Sequence, residues 1–218
     1  MMISKGMQDW GRRVATLIVT PIARSGVTPN MLTVAGLLLS LLTAAVIAPG
    51  HFLVGGALLL FAGVFDTFDG ALARLTGKAS IFGAFFDSTL DRIAEAGIGL
   101  GLLWYYTAHH SLTGTTLLYL VMIGSLMTSY TRARAEGLHI ECKVGLMARP
   151  ERVIALGVGL LLGPVVTQWA LLLLAIMTWI TVIQRIAHVW SATEGAASGV
   201  EGEATVRVSP FRRRNMAS

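Results

Sequence analysis

The sequence predicts an all-α integral membrane protein with six transmembrane helices, preceded by an N-terminal interfacial amphipathic helix. Three observations support this prediction. Hydrophobic residues make up 54% of the chain and charged residues only 13%, whereas soluble domains carry about 25% charged residues. Several apolar runs approach the length of about 20 residues that a helix needs to cross a bilayer. The basic residues fall on one side of the resulting topology, as the positive-inside rule describes.

An amphipathic segment, residues 7–24, precedes the first long apolar run. It interleaves Trp10, Leu17 and Ile18 with Arg12 and Arg13, a basic amphipathic pattern that is typical of a helix lying in the membrane interface. The residues before Pro29 contain no uninterrupted apolar core. We therefore expect an interfacial helix, no cleaved signal peptide and a cytoplasmic N-terminus.

Six apolar runs follow, separated by short segments with turn-forming residues such as Pro49-Gly50 and Gly163-Pro164. The fifth run is the weakest. The predicted spans are 31–48, 52–75, 81–106, 112–130, 153–162 with its flanks, and 168–190. Residues 1–190 thus form the predicted membrane domain. The remainder, 191–218, is rich in Gly, Ala, Ser and Glu, and we expect a disordered cytoplasmic tail.

The basic residues define the orientation and limit the class of partner. With the N-terminus inside and six crossings, all 17 Lys and Arg residues lie on the cytoplasmic side. This predicts a multi-pass protein of the plasma membrane with both termini in the cytoplasm. The net charge of +5 fits anionic lipid headgroups, and the chain has no soluble basic domain, so we expect no nucleic acid partner. Cys142 is the single cysteine and has no intrachain disulfide partner.

Four carboxylates sit inside otherwise apolar spans, where an ionised group costs a few kcal/mol unless it is paired, hydrated or bound to metal. Asp66 and Asp69 are spaced i, i+3, and Asp87 and Asp91 are spaced i, i+4, so each pair shares one helix face. Counted from the turn at Gly77, the first pair lies roughly 12–17 Å and the second roughly 15–21 Å along its helix. The two pairs are therefore expected to meet at one depth.

Converging carboxylates repel one another unless cations neutralise them. Divalent ions with hard oxygen ligands, Mg²⁺ or Mn²⁺, are the simplest solution, and we predict two ions that bind phosphates. Neutralisation by Arg74 and Arg92 without metal is the alternative. Arg74 is also placed to contact a diphosphate, and Gly70 and Gly83, next to the acids, allow a bulky polar ligand to approach.

The spacing of these residues resembles the signature of the CDP-alcohol phosphotransferase family. Eight fixed positions match it in order: Asp66, Asp69, Gly70, Ala73, Arg74, Gly83, Asp87 and Asp91. The six spans, and the segment Thr28-Pro29-Asn30 before the first of them, are also similar to the family. The resemblance covers about residues 1–190 and implies transfer of the phosphatidyl group of CDP-diacylglycerol to an acceptor hydroxyl, with release of CMP.

The resemblance also implies roles for individual residues. Asp66, Asp69 and Asp87 are expected to bind the metals, and Asp91 to complete the metal site and act as general base. A homodimer is expected on the same ground. The nucleotide-binding residues implied are Asn30, Asp66, Asp69, Gly70, Ala73, Arg74 and Gly83.

The acceptor must be inferred from the second half of the chain, where arginines gather at the cytoplasmic end. Together with a helix start at Pro150, they indicate a phosphorylated acceptor. We predict that the acceptor phosphate binds Ser129, Arg132, Arg134, Arg152 and Arg185. Arg149 belongs to the same group, although any of these arginines also serves as a positive-inside anchor.

This arrangement is similar to that of actinobacterial phosphatidylinositol phosphate synthases and of archaeal enzymes that make an inositol phosphate ether lipid. The resemblance implies inositol 1-phosphate as acceptor. A phosphatidylglycerophosphate synthase using glycerol 3-phosphate is the alternative. A divalent-cation transporter is a remote alternative, because its ion path requires polar residues in the outer half of the spans, where Leu, Val, Ala and Gly predominate.

Overall fold

The computed structural model describes residues 19–21, 23 and 26–199, and their regular structure is entirely helical. This confirms the predicted all-α fold. Residues 19–21 and 23 are helical, but most of the predicted interfacial helix, 7–24, lies outside the described residues. From residue 26 onward the helices are α1 (Pro29–Ile47), α2 (Phe52–Phe65), α3 (Thr67–Thr76), α4 (Ile81–Ala108), α5 (Leu112–Gly137), α6 (Arg149–Leu161) and α7 (Pro164–Gly199).

Local sequence signals set the helix ends. The Thr28 hydroxyl accepts a hydrogen bond from the Met31 amide, and Pro29 occupies the first turn of α1. The Ser80 hydroxyl caps α4 in the same way, accepting from the Gly83 amide at 2.9 Å. Such caps satisfy amides that have no partner within the helix. Gly77 ends α3 with φ +65°, a left-handed conformation that glycine adopts without strain.

Within the described residues, four helical segments are long and apolar enough to cross a membrane: α1, the segment Phe52–Thr76 that joins α2 and α3, α5, and Pro164–Glu194 within α7. This confirms the membrane character of the fold. Helix α4 has 28 residues but carries several charged side chains, and α6 has only 13 residues. The count of six spans therefore stays a prediction.

The last helix is longer than the sequence analysis predicted. Helix α7 continues to Gly199, past residue 191, where we expected the disordered tail to begin. The segment 191–199 contains three Ala and one Glu, both strong helix formers, and extending an existing helix avoids the cost of nucleation. Residues 200–218 lie outside the described part of the chain.

The main packing contacts join helices that are not consecutive in the chain: α1 lies against α4, α2 against α6, and α5 against α7. Small residues allow this close packing, as is common between helices in lipid. A methyl group at Gly101 would lie 2.9 Å from the Ala44 Cα, and one at Gly56 would lie 2.7 Å from the Leu161 nitrogen. The core between the pairs is formed by side chains such as Ile47, Leu59, Leu102, Leu160 and Leu174.

We predict that Gly101→Ala destabilises the protein, because the added methyl group meets the backbone of α1 and neither helix can move without disturbing the core. Overpacking of this kind costs about 1–3 kcal/mol. Gly137→Ala is the matched control, since no atom of the described part of the chain lies within 4 Å of a methyl group there. Thermal unfolding in detergent tests this, and equal melting temperatures for the two variants would contradict the packing described.

Candidate active site

Asp66 and Asp69 lie near the boundary between α2 and α3, within one long helical segment. The segment Phe52–Thr76 has 25 residues, and Asp66, whose backbone angles of φ −57° and ψ −27° are themselves helical, ends α2 and precedes α3. The chain then turns at Gly77 and enters α4, which carries Asp87 and Asp91. The predicted helix-turn-helix arrangement of the acids is therefore present.

Three of the four predicted metal ligands converge. One carboxylate oxygen from each of Asp66, Asp69 and Asp87 lies within 4.8 Å of the other two. Asp69 is buried and accepts a hydrogen bond of 2.8 Å from the Thr33 hydroxyl. The Asp87 Oδ1 atom is buried and has no hydrogen-bond partner among the described residues. Hard oxygen donors this close together fit a divalent cation such as Mg²⁺ or Mn²⁺.

Asp91 lies outside this group of three and is held by arginines. The Arg149 Nη2 atom lies 2.7 Å from the Asp91 Oδ1 atom, and the Nη1 atom of the same guanidinium pairs with Asp66. Arg92 lies farther away, with its Nη2 atom 4.0 Å from Asp91. Arg149 thus joins the predicted base to the acidic cluster.

Six of the seven predicted nucleotide-binding residues line a cavity of about 230 Å³ beside the acidic cluster. A methyl group at Gly83 would lie 3.0 Å from the Ser80 Oγ atom, and one at Gly70 would lie 3.3 Å from the Arg74 Nη1 atom, so both glycines keep the cavity open. Asp66 lies outside it and lines a neighbouring cavity. The predicted residues that line the first cavity are Asn30, Asp69, Gly70, Ala73, Arg74 and Gly83.

The structure brings two of the predicted acceptor residues into one network. Arg152 is buried and donates to Glu95 at 3.1 Å. The Ser129 hydroxyl accepts a hydrogen bond of 2.6 Å from Arg92, which also binds Glu95.

The other three predicted acceptor residues lie elsewhere. Arg132 is exposed and pairs with Glu136. Arg185 is buried and donates to the carbonyl oxygens of Val144, at 3.0 Å, and Thr128. Arg134 is exposed and shares a separate cavity with Arg185.

Three residues of the site were missed or undervalued by the sequence analysis. Glu95 lies one turn beyond Asp91, so the i, i+4 pattern of acids continues to it within the predicted third span. Arg149 was grouped with the acceptor arginines, yet it contacts two aspartates. Thr33 donates to Asp69 and lies one turn after Pro29 on α1. Its proximity to the segment Thr28-Pro29-Asn30 was the one signal in the sequence that pointed to it.

A helical membrane domain with converging carboxylates beside a glycine-lined, arginine-bearing cavity is typical of an enzyme that acts on a diphosphate through divalent metal. The comparisons with known proteins identify which class. Residues 26–191 match the model of the CDP-alcohol phosphatidyltransferase family, and the chain belongs to this family. The predicted resemblance is thereby confirmed, and the family match favours the transferase over the remote alternative of a cation transporter.

Individual relatives resemble the chain over most of its length. An archaetidylinositol phosphate synthase of Methanothermobacter thermautotrophicus is 38% identical over 193 residues, which cover 86% of this chain and 96% of the relative. A phosphatidylinositol phosphate synthase of Mycobacteroides abscessus is 34% identical over 191 residues, covering 84% of this chain and 86% of the relative.

Solved structures are similar as well. The crystal structure of Mycobacterium tuberculosis phosphatidylinositol phosphate synthase with CDP-DAG bound matches with a TM-score of 0.76 and 32% sequence identity, covering 82% of this chain and 94% of that chain. The same enzyme in complex with manganese and citrate gives a TM-score of 0.75, again at 32% identity, covering 81% of this chain and 88% of that one.

We predict that Asp87→Asn weakens divalent metal binding, because it removes a ligand charge from the cluster of three carboxylates. Loss of an outer-shell partner alone typically costs about 10–100-fold in affinity, so the loss of a direct ligand is expected to cost at least that much. Titration of the purified protein with Mn²⁺, followed by electron paramagnetic resonance, measures the change. Glu136→Gln, an acid outside the cluster, serves as control, and equal Mn²⁺ affinity in both variants would exclude Asp87 as a ligand.

Proposed function

We propose that the protein transfers the phosphatidyl group of CDP-diacylglycerol to inositol 1-phosphate, releasing CMP and forming phosphatidylinositol phosphate. The observation that carries the proposal is the position of the acidic cluster, between the glycine-lined cavity and the network of arginines around Glu95. Relatives at 38% and 34% identity are named as inositol phosphate lipid synthases. This supports an inositol phosphate as acceptor over glycerol 3-phosphate.

In this proposal two Mg²⁺ or Mn²⁺ ions are held by Asp66, Asp69 and Asp87, with Asp91 completing the site. The proximity of the first three carboxylates supports these ligands, as does the buried Asp87 oxygen that no described residue hydrogen-bonds. When bound, such ions neutralise the diphosphate and stabilise the charge on the departing CMP. The manganese in a similar solved structure is consistent with this assignment.

The nucleotide of the donor is proposed to occupy the cavity beside the cluster. Gly70 and Gly83 admit the CDP moiety close to the backbone, and Asn30, Ala73 and Arg74 line its walls. Asp66 and Asp69 are proposed to contact the nucleotide end as well as the metals. The Arg74 guanidinium, at the edge of this cavity, supplies the positive charge that a diphosphate requires.

Asp91 is proposed to act as the general base. It accepts the proton of the acceptor hydroxyl as that oxygen attacks the β-phosphorus of the donor, and the bond between this phosphorus and the oxygen shared with CMP breaks. The ion pair with Arg149 and the nearby Arg92 orient the Asp91 carboxylate. The phosphate of the acceptor is proposed to bind Ser129, Arg132, Arg134, Arg152 and Arg185, of which Arg152 and Ser129 have the strongest support because one network holds them.

The decisive experiment measures release of CMP from CDP-diacylglycerol by purified protein with Mg²⁺. We expect turnover with inositol 1-phosphate and none with free inositol or serine. Turnover with glycerol 3-phosphate instead would replace the proposed acceptor with the alternative.

We predict that Asp91→Asn lowers kcat by about 10²–10⁴-fold, the usual contribution of a general base. The same CMP assay measures this, with thermal unfolding as evidence that the variant is folded. Wild-type turnover by a folded Asp91→Asn protein would exclude Asp91 as the base.

We also propose that the chain crosses the plasma membrane six times, with both termini and the active site in the cytoplasm. The one-sided distribution of Lys and Arg supports this orientation. In this topology α4 and α6 also cross the membrane, although α4 carries several charged residues and α6 is short. A homodimer is proposed on the family resemblance alone.

Single cysteines test the topology in a Cys142→Ala background. We expect a membrane-impermeant maleimide to label Thr113→Cys, in the first turn of α5, on intact cells. Glu141→Cys, between α5 and α6, is expected to react only after permeabilisation. Both positions are exposed, so their reactivity reports the side of the membrane, and the reverse pattern would invert the proposed orientation.

A further inference from the structure

The Glu95 carboxylate accepts hydrogen bonds from two arginines and a serine, and the proposed function gives it no role. Its Oε1 atom accepts hydrogen bonds from the Arg152 Nε atom at 3.1 Å and the Ser125 hydroxyl at 2.5 Å. Its Oε2 atom accepts from the Arg92 Nη1 atom at 2.8 Å and the Arg152 Nη2 atom at 3.4 Å. Both oxygens are therefore occupied by donors from three helices, α4, α5 and α6.

These contacts determine where two guanidinium groups point. Arg152 meets Glu95 through two nitrogens, the bidentate geometry that fixes a guanidinium plane most strongly. The side chain of Arg152 is only 5% exposed, and its Nη1 atom lies 3.5 Å from the Met147 carbonyl oxygen, so its orientation is fixed. Arg92 is held between Glu95 and Ser129, with its Nη1 atom donating to both.

The guanidinium groups around Glu95 offer donors to a phosphate ligand near the predicted base. Glu95 and Asp91 are one turn apart on α4 and line the same cavity as Arg149 and Arg152. Arg92 lies beside this cavity, with its Nη2 atom 4.0 Å from Asp91. An anion bound at Arg152 would thus lie close to Asp91.

We propose that Glu95 is a positioning residue for the acceptor. The Glu95 carboxylate aligns Arg92 and Arg152 so that these two arginines bind the phosphate of the acceptor. The hydroxyl of the acceptor then faces Asp91. The proposal rests on the proposed function, since it assigns a phosphorylated acceptor to this side of the acidic cluster. Glu95 itself touches neither the phosphate nor the reacting atoms. Its effect is therefore expected in acceptor binding rather than in chemistry.

The test compares the steady-state kinetics of Glu95→Gln and Glu95→Asp with those of the wild type. Losing a hydrogen-bonded charge typically weakens an interaction on the order of tenfold to 100-fold. We expect the KM for inositol 1-phosphate to rise by that factor in Glu95→Gln, with kcat and the KM for CDP-diacylglycerol nearly unchanged. Glu95→Asp keeps the charge and is expected to recover part of the loss. Glu141→Gln, an exposed acid outside the site, is the matched control.

A double-mutant cycle separates positioning from a general structural role. If Glu95 acts through the two arginines, then Glu95→Gln raises the acceptor KM less in the Arg152→Gln background than in the wild type, and the remaining effect reflects Arg92. Additive effects, an unchanged acceptor KM in Glu95→Gln, or an equal rise in the KM of both substrates would overturn the proposal.

Two provisions keep the test decisive. If Glu95→Gln does not fold, Glu95→Asp and Ser125→Ala are compared instead, because each loosens the network without removing the charge of Glu95. A selective rise in the acceptor KM supports positioning. If the acceptor KM rises in neither variant, the proposal is overturned. If the wild type uses glycerol 3-phosphate, the acceptor assignment fails. The same kinetic comparison with that acceptor still decides the role of Glu95.

Discussion

The cost of holding charge inside an apolar helical bundle determines the arrangement of this site. Each carboxylate on α3 and α4 requires a partner, because an isolated ion in a low-dielectric interior is strongly destabilised. Arg149 bridges Asp66 and Asp91, Thr33 donates to Asp69, and Glu95 is surrounded by donors. The partners come from α1, α5 and α6, so compensating the charges also fixes how these helices meet.

The same requirement distributes charges of both signs over two neighbouring cavities. Asp69 and Asp87 line the glycine-lined cavity together with Arg74 and Lys78. Asp66, Asp91 and Glu95 line the second cavity together with Arg149 and Arg152. The acidic cluster borders both cavities, so a diphosphate in the first and a phosphate in the second would occupy neighbouring positions. Arg149 pairs with both Asp66 and Asp91. We infer that substitutions at Arg149 would disturb both substrates, whereas those at Glu95 would disturb one.

The sequence predicted the parts of the site that depend on spacing along one helix or across one turn. Asp66, Asp69 and Asp87 converge because helical periodicity and the turn at Gly77 dictate it. Contacts between distant segments, such as Arg149 with Asp66, depend on how α6 packs, which no local pattern encodes. The end of α7 was misjudged for another reason: composition suggested disorder, while continuation of an existing helix favoured order.

The continuity of α2 and α3 has a mechanical consequence for an enzyme in lipid. Asp66, at their boundary, keeps helical backbone angles of φ −57° and ψ −27°, and the segment Phe52–Thr76 runs on for 25 residues. Helix α2 packs closely against α6 at Gly56, and α3 is tied to α1 through the hydrogen bond between Asp69 and Thr33. A bilayer that is thinner or thicker than the protein's apolar belt tilts its helices, and a continuous segment carries that tilt to Asp66 and Asp69. We therefore expect the geometry of the metal site to depend on the chain length of the surrounding lipids.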